Sequence, residues 1–186
     1  MPRAAKGLLA LGLLALAAPL PAHAQVTVDM ETGQLRANDG LRPGQSRWLP
    51  DAATATGQVS IVVSLPLQRA YVFRGSVLIG VTTVSTGQPG WDTPVGRFTI
   101  LEKQVTHHSS LYENAPMPFM QRLTVDGIAL HAGPIARSGE PVSHGCIRLP
   151  RAFAERLYGM TALGTVVMVT DEAPGTPEEV LALAAA

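Results

Sequence analysis

The chain has 186 residues, of which 46% are hydrophobic and 15% charged, and its 14 basic and 14 acidic side chains balance. A chain of this length can bury one ordinary hydrophobic core, so we expect a single folded domain. It has no basic cluster, no phosphate-cradling glycine loop and no aromatic stacking platform, which argues against a nucleic-acid partner.

The first 24 residues have the pattern of a secretory signal peptide. Arg3 and Lys6 form a basic start, residues 8–18 are apolar, and residues 22–24 (Ala-His-Ala) fit the small-x-small cleavage pattern. The apolar run is too short for a comfortable membrane span, and no later stretch approaches ~20 apolar residues. We therefore expect cleavage after Ala24, no membrane span, and an exported protein of the periplasm or cell envelope. Cleavage would leave 12 basic and 14 acidic residues, a net charge of −2.

Three segments carry no regular period. Residues 25–57 are interpreted as an extended, partly ordered N-terminal arm or linker. Residues 85–96, here named the turn-rich loop, are dense in turn-forming residues. Residues 107–119, here named the cleft loop, are long for a loop inside a compact domain. Such loops are more often functional than idle, so we expect this one to form a cleft wall or lid.

From Val59 onward the sequence changes to short β-branched and apolar runs. These runs predict strands at residues 59–65, 70–73, 77–84, 97–102, 121–125, 128–131 and 164–170. Two tight turns join neighbouring runs. One is Arg74-Gly75-Ser76, and the other is Asp126-Gly127, a pair that favours a hairpin with both central residues at positive φ. The fold class is therefore predicted to be mainly β.

Two short helices are predicted in the C-terminal part of the chain. Pro150 is suited to the first helical position, and an apolar face continues from it to Gly159. Residues 176–179 (Thr-Pro-Glu-Glu) form a capping box that opens a second helix through Ala186. This helix lies in a C-terminal tail, residues 172–186.

The only cysteine, Cys146, is the strongest candidate for chemistry. A lone cysteine in an exported chain cannot join an internal disulfide, which favours a reactive thiol. The nucleophile is the thiolate, and a nearby imidazole, from His131 or His144, could take its proton. Gly145 lets the backbone turn its N–H groups toward a developing oxyanion. Arg148 could hold a substrate carboxylate, lower the thiol pKa, or pin the loop through an ion pair.

A zinc site is the alternative for the same side chains. His131, His144 and Cys146 could supply three ligands and leave one position open. The usual spacing of zinc ligands is missing, and no carboxylate lies nearby in the sequence, so we prefer the nucleophile.

Four other side chains are given ordinary structural roles. His107 and His108 are interpreted as solvated loop residues, and Trp48 and Trp91 as packing residues and not sugar platforms.

Several motifs together resemble one enzyme family. They are residues 85–87 (Ser-Thr-Gly), 93–98 (Thr-Pro-Val-Gly-Arg-Phe), 117–119 (Met-Pro-Phe), 128–133 (Ile-Ala-Leu-His-Ala-Gly) and 143–149 (Ser-His-Gly-Cys-Ile-Arg-Leu). In this combination the sequence closely resembles the L,D-transpeptidase (YkuD-type) catalytic domain of bacterial cell-wall enzymes. The resemblance implies a single β-sandwich-like catalytic domain over residues 58–171 with one or two short helices.

The resemblance also implies an activity, that of a cysteine acyltransferase acting on peptidoglycan stem peptides. Cys146 would form a thioester with release of D-alanine, His131 would be the general base, and the Ala132 carbonyl would orient His131. The N–H groups of Gly145 and Cys146 would form the oxyanion hole. Substrate contacts would come from Ser143, His144, Arg148, Gly133, Met117 and Phe119.

The implied chemistry needs no metal and no nucleotide cofactor. The acyl acceptor would be a second stem peptide, with an outer-membrane lipoprotein as a further candidate acceptor, and carbapenems would acylate Cys146.

Three other functions stay open at this point. Related enzymes let water resolve the thioester, so the chain could be an L,D-carboxypeptidase or a lipoprotein–peptidoglycan hydrolase with the same thiol. A non-catalytic, exported peptidoglycan-binding protein is the alternative of another class. Such a protein has no need of an oxidisable cysteine beside an imidazole, which favours the enzyme.

Overall fold

The computed structural model describes residues 26–28, 35–37 and 39–185. The predicted signal peptide and its cleavage site lie outside the described residues. The elements are β1 (Val26–Val28), β2 (Leu35–Ala37), β3 (Ser46–Trp48), a 3-10 turn (Pro50–Ala53), β4 (Val59–Ser64), β5 (Arg69–Arg74), β6 (Val77–Thr83), β7 (Gly96–Thr99), β8 (Glu102–Gln104), β9 (Met120–Arg122), β10 (Ala129–Ala132), β11 (Ile147–Leu149), α1 (Arg151–Met160), β12 (Val166–Thr170) and α2 (Pro177–Ala185).

The larger sheet has six strands in the order β3-β6-β5-β4-β12-β7. Its neighbours are antiparallel except β4 and β12, which run parallel. The central strand β4 carries three consecutive apolar residues, Ile61, Val62 and Val63, because both of its faces are covered. Ile61 and Val63 face the main core, whereas Val62 faces a second cluster that includes Val180 of α2.

The smaller sheet has four strands in the order β11-β10-β9-β8. β10 and β11 are parallel, with Leu130 opposite Ile147 and His131 opposite Arg148. The two sheets share one hydrophobic core, and α1 contributes Phe153 to it. The mainly β, sandwich-like fold predicted from the sequence is therefore confirmed.

The predicted strand at residues 97–102 is divided between the two sheets. β7 ends at Thr99 and belongs to the larger sheet, and β8 begins at Glu102 in the smaller one. Between them, the Ile100 N–H donates to the Thr165 carbonyl at 3.0 Å, and the Leu101 N–H donates to the Arg122 carbonyl at 2.8 Å. Consecutive amides thus bond to different sheets, so a continuous run of strand-forming residues crosses from one layer to the other.

The hairpin between β9 and β10 forms, but its turn is wider than predicted. Gly127 has φ 98°, whereas Asp126 is not at positive φ, so the expected two-residue turn is wrong. The Leu123 N–H donates to the Ile128 carbonyl at 2.7 Å, which closes a four-residue loop. The Gly127 carbonyl of this loop accepts a hydrogen bond from the thiol of Cys146, as described below.

Most other predicted boundaries shift by one or two residues, as element ends commonly do, but β9 ends at Arg122, three residues before the predicted end at Val125. α1 begins at Arg151 with Pro150 as its N-cap, and it ends at Met160, one residue beyond Gly159. α2 begins at Pro177 as predicted. Within the described residues, no helix combines the length and the apolar character needed to cross a membrane.

Part of the predicted arm is ordered against the larger sheet. β3 is its edge strand, and Trp48 stacks on Phe153 with ring centroids 4.4 Å apart. Arg69 of β5 holds Asp39 through a contact of 2.7 Å between Nε and Oδ2. A buried guanidinium that holds a carboxylate through two nitrogens fixes orientation as well as distance.

Candidate active site

A pocket of about 970 Å³ opens beside the sole cysteine. Its walls come from the cleft loop, from the β9–β10 turn and from residues 143–148. Cys146 and His131 both line it. The strand pairing explains why they share a face. His131 lies opposite Arg148 in the parallel pair, and Cys146 precedes Arg148 by two residues, so the three side chains project to the same side.

His131 is held by main-chain geometry. Its Nδ1 lies 2.9 Å from the carbonyl oxygen of Ala132, and because a carbonyl only accepts, Nδ1 carries the proton. The same peptide group is fixed in turn, since the Gly133 N–H donates to the Leu149 carbonyl at 3.0 Å. The other ring nitrogen, Nε2, is therefore the basic one in the neutral imidazole. This is the arrangement a general base requires.

Burial keeps this imidazole neutral. The side chain is only 6% exposed, and desolvation lowers the pKa of His131 to about 4. The hydrogen bond to Ala132 opposes this shift, and the nearby Arg148 and His107 add to it. At neutral pH, His131 is thus an unprotonated base.

Cys146 is also held in its neutral form. Its thiol donates to the Gly127 carbonyl, with 3.7 Å between Sγ and the oxygen. Burial raises the pKa of the Cys146 thiol, and this outweighs the opposing effects of the Ala129 backbone and the Arg148 charge. Burial therefore favours the neutral form of both groups, the thiol and the imidazole.

Residues 143–146, here named the nucleophile loop, are shaped by hydroxyl groups. Ser143 is buried, and its Oγ donates to the Cys146 carbonyl at 2.5 Å and accepts from the Gly145 N–H at 3.1 Å. Thr93 of the turn-rich loop donates to the Gly145 carbonyl at 2.8 Å and accepts from the Gly87 N–H at 2.9 Å. Two side-chain hydroxyls thus define the backbone on either side of the sulfur.

Gly145 is required by its conformation. Its φ is +100°, a region that side-chain-bearing residues rarely adopt. Its N–H already donates to Ser143. The predicted oxyanion contact of Gly145 would have to share or replace this bond, which leaves the Cys146 N–H as the simpler of the two predicted donors.

Residues 58–169 match the family model of the L,D-transpeptidase catalytic domain, YkuD. The chain belongs to this family. It is also 36% identical over 106 residues to a protein named Probable L,D-transpeptidase 3 of Mycobacterium tuberculosis (strain ATCC 25618 / H37Rv). That alignment covers 50% of this chain and 39% of the relative, so the chain spans well under half of that protein's length.

Solved L,D-transpeptidases share the fold. A crystal structure from Stackebrandtia nassauensis superposes with a TM-score of 0.57 and 30% identity over 66% of this chain and 60% of that one. The structure of an L,D-transpeptidase in complex with imipenem gives a TM-score of 0.56 and 25% identity over 60% of this chain and 58% of that one. These matches confirm the family and the fold expected from the sequence motifs.

Arg148 of this L,D-transpeptidase domain faces the pocket. A Cβ on Gly133 would lie 3.0 Å from Cγ of Arg148, so this glycine makes room for the arginine side chain. Among the residues that the structure describes, no carboxylate lies within ion-pair distance of the guanidinium. The Arg148 backbone braces the loop through reciprocal bonds with Ser85 of 3.1 and 2.9 Å.

The other predicted substrate contacts divide into two groups. Met117 and His144 line the pocket. Ser143 also borders it, but its hydroxyl is committed to the nucleophile loop. Phe119 packs in the main core, 5.9 Å from the ring of Tyr158, so the structure places it behind the cleft loop and not in the pocket wall.

His144 is neither free nor arranged as a metal ligand. Its ring stacks on Tyr112 with centroids 4.5 Å apart and contacts Trp91 edge-on at 4.8 Å. Within residues 26–28, 35–37 and 39–185, no group of three or more His, Cys, Asp or Glu side chains is placed to hold a metal ion. His107 is half-buried, and its Nδ1 lies 2.9 Å from Oε1 of Gln104 in a smaller adjoining pocket of about 300 Å³.

Sequence reasoning missed three residues of the site. Thr93 was visible only as part of a loop motif, Tyr112 as one residue of an irregular segment, and Gly127 as a turn former. The Thr-Pro-Val-Gly motif was the available signal for Thr93. Tyr112 and Gly127 act through positions that only the folded chain reveals.

Proposed function

We propose that this chain is an L,D-transpeptidase that works through a thioester on Cys146. The observation that carries the proposal is the set of three groups beside one pocket: a thiol, an imidazole whose basic nitrogen is Nε2, and the guanidinium of Arg148. Family membership supports this reaction class.

In the first half-reaction, Sγ of Cys146 attacks the carbonyl carbon that links diaminopimelate to the terminal D-alanine. Nε2 of His131 takes the thiol proton as the C–S bond forms, and the carbonyl oxygen becomes an oxyanion. When the C–N bond breaks, the imidazolium gives this proton to the departing amine. D-alanine leaves, and the acyl group stays on sulfur.

In the second half-reaction, an amine of a second stem peptide attacks the thioester carbonyl. His131 takes a proton from the attacking nitrogen, and the C–S bond breaks. The proton then returns to sulfur, so the thiol and the neutral imidazole are restored together with a new amide. Arg148 binds a carboxylate of the stem peptide and fixes the carbonyl over the sulfur.

The proposed setting follows from the proposed substrate. Peptidoglycan stem peptides lie outside the cytoplasmic membrane, and the N-terminal sequence pattern of a signal peptide agrees with export to the periplasm or cell envelope. An outer-membrane lipoprotein is a second acceptor to test.

The decisive experiment is incubation with a tetrapeptide-bearing muropeptide, followed by mass analysis of the products. Cross-linked dimers together with released D-alanine support the transpeptidase. Tripeptide monomers alone would mean that water resolves the thioester, which makes the protein a carboxypeptidase. If there is neither turnover nor an acyl adduct on Cys146, the result supports the alternative of a non-catalytic binding protein. The same reaction with imipenem should add the drug's mass to the chain, and Cys146→Ala should prevent this.

Matched variants assign the two roles. Cys146→Ala should abolish turnover while the fold persists, because it removes a nucleophile and little volume. His131→Ala should be nearly as severe. His108→Ala is the control, since that imidazole is exposed and lines neither pocket, and it should keep normal activity. Normal product formation by either of the first two variants would overturn the role assignments.

A further inference from the structure

Three aromatic rings from three different loops meet at the mouth of the pocket. Tyr112 of the cleft loop stacks on His144 of the nucleophile loop, with centroids 4.5 Å apart and an angle of 13° between the ring planes. Trp91 of the turn-rich loop meets both rings edge-on, at 4.8 Å from His144 and 5.8 Å from Tyr112. We name these three residues the ring cluster. Tyr112 and His144 also line the pocket.

Among the described residues, the tip of the cleft loop, residues 109–115, makes no hydrogen bond to the rest of the domain. Its hydrogen bonds between described residues stay within the loop: Ser109 bonds with Ala115, and the Ser109 hydroxyl accepts from the Tyr112 N–H at 3.1 Å. Glu113 and Asn114 follow at φ 44° and 56°, which makes a sharp turn directly after the tyrosine. The tip is thus a small self-bonded unit that presents Tyr112, and its contacts with the other two loops include those of this ring.

The two rings that contact Tyr112 are linked through the backbone to the nucleophile. His144 directly precedes Gly145, whose carbonyl accepts from Thr93, and Trp91 lies two residues before Thr93. The position of the Tyr112 ring is therefore tied to the backbone that presents the sulfur. Trp91 and His144 are exposed and Tyr112 is partly buried. Such a stack can open and close at modest cost, whereas a fully buried one would stay shut.

We propose that Tyr112 is a positioning residue for acylation. Its ring, seated on His144 and Trp91, holds the cleft loop closed over the bound stem peptide. The inference rests on the proposed function. In the resting enzyme the stack restricts access to Cys146, and when a peptide is bound it keeps the scissile carbonyl near the sulfur. Tyr112 contributes through its ring and not through its hydroxyl.

Two rates measured on the same variants test this proposal. One is alkylation of Cys146 by iodoacetamide, a small neutral probe that needs only access. The other is kcat/KM for D-alanine release from a muropeptide. Tyr112→Ala should speed alkylation about threefold and lower kcat/KM about tenfold, because losing two ring contacts opens the loop. Tyr112→Phe keeps the ring and should restore both rates. His144→Ala should act like Tyr112→Ala, and His144→Phe should recover the access restriction.

Opposite changes in the two rates separate positioning from simple loss of structure. If Tyr112→Ala lowers both rates in parallel, or changes neither, the proposal is overturned, as it is if Tyr112→Phe behaves like Tyr112→Ala. Asn114→Asp is the control, since aspartate tolerates the same positive φ and the residue lines neither pocket. If Tyr112→Ala does not fold, the same two rates are compared in Trp91→Ala, which removes a ring of the cluster, and in Trp91→Phe, which keeps one.

Failure of this inference can be distinguished from failure of the proposed function. If the wild-type protein releases D-alanine and the Tyr112 variants keep both rates unchanged, only the positioning role of Tyr112 is rejected. If the wild-type protein does not turn over, the proposed function fails, while alkylation still reports whether the rings restrict the thiol.

Discussion

The base and the nucleophile of this site are positioned in two different ways. His131 sits within a buried strand, opposite Arg148 of β11, and its ring is oriented by a main-chain carbonyl. Cys146 lies in a loop whose backbone is shaped by the hydroxyls of Ser143 and Thr93 and by a glycine at positive φ. The strand supplies orientation through bonds that almost any sequence can make, whereas the loop depends on particular side chains.

The difference predicts where substitutions will be tolerated. Neighbours of His131 can change as long as their volume suits the core, because the bonds that matter there belong to the backbone. Around Cys146, the loss of one hydroxyl or the addition of one methyl group alters the backbone that presents the sulfur.

Gly87→Ala should have the largest effect. A Cβ at this position would lie 1.9 Å from the carbonyl oxygen of Trp91 and 2.8 Å from the Thr93 nitrogen, so the turn-rich loop must move. We expect a loss of about 2–3 kcal/mol in the free energy of unfolding, and a fall of about 100-fold in kcat/KM, as for a misplaced catalytic group. Urea unfolding and D-alanine release measure the two effects. Wild-type values for both would show that the loop does not control the nucleophile.

Acidification should act on the base instead. Because the pKa of His131 is about 4 in the folded chain and 6.5 as the ordinary value, the unfolded chain binds the proton first as pH falls. The contribution of His131 to the free energy of unfolding is complete above pH 6.5. It declines between pH 6.5 and 4, by up to about 3 kcal/mol. His107 and Arg148 also lower the pKa of His131, and both stay unchanged in the variant used for the test below, His131→Gln.

Urea unfolding at several pH values checks this expectation. His131→Gln has no titrating group at this position, so the difference in stability between wild type and variant should shift in favour of the variant as pH falls from 6.5 to 4. A difference that stays constant over that range would mean that the imidazole titrates normally in the folded chain.

Much of the fold was predictable because its main signals are local. β4, β5 and β6 were visible as β-branched runs, and the cysteine motif identified the nucleophile. The predictions that failed concern residues whose bonding depends on how the two sheets pack together. The run at residues 97–102 looked like one strand because nothing in its composition shows that Ile100 and Leu101 bond to different sheets.

The effect of burial on the site was likewise beyond the sequence. The motif suggested that a nearby imidazole takes the proton of the thiol, yet burial raises the pKa of Cys146 and lowers that of His131. Burial depends on how both sheets and the cleft loop close around the pair. Phe119 shows the same limit, since it stands in the family motif next to pocket residues but packs in the core.

Thr93→Val tests the hydroxyl brace by itself. Valine keeps the shape of threonine, but it leaves the Gly145 carbonyl and the Gly87 N–H without their partner. We expect a loss of about 1–2 kcal/mol in stability, and a fall of about tenfold in kcat with little change in KM. Thr99→Val is the control, because this threonine is exposed on β7. Equal kcat values for Thr93→Val and wild type would assign the shape of the loop to packing alone.

Gly159→Ala should have the smallest effect and the opposite sign. Gly159 lies in α1, its φ is not in the left-handed region, and an added Cβ meets no atom within 4 Å. Alanine is the better helix former, so we expect a gain of about 0.5–1 kcal/mol, with kcat/KM unchanged. The substitution is the same as at Gly87, which isolates the cause. If both variants lost activity, the loss would follow from removing glycine anywhere in the chain. If only Gly87→Ala does, the close contact with Trp91 in the turn-rich loop is responsible.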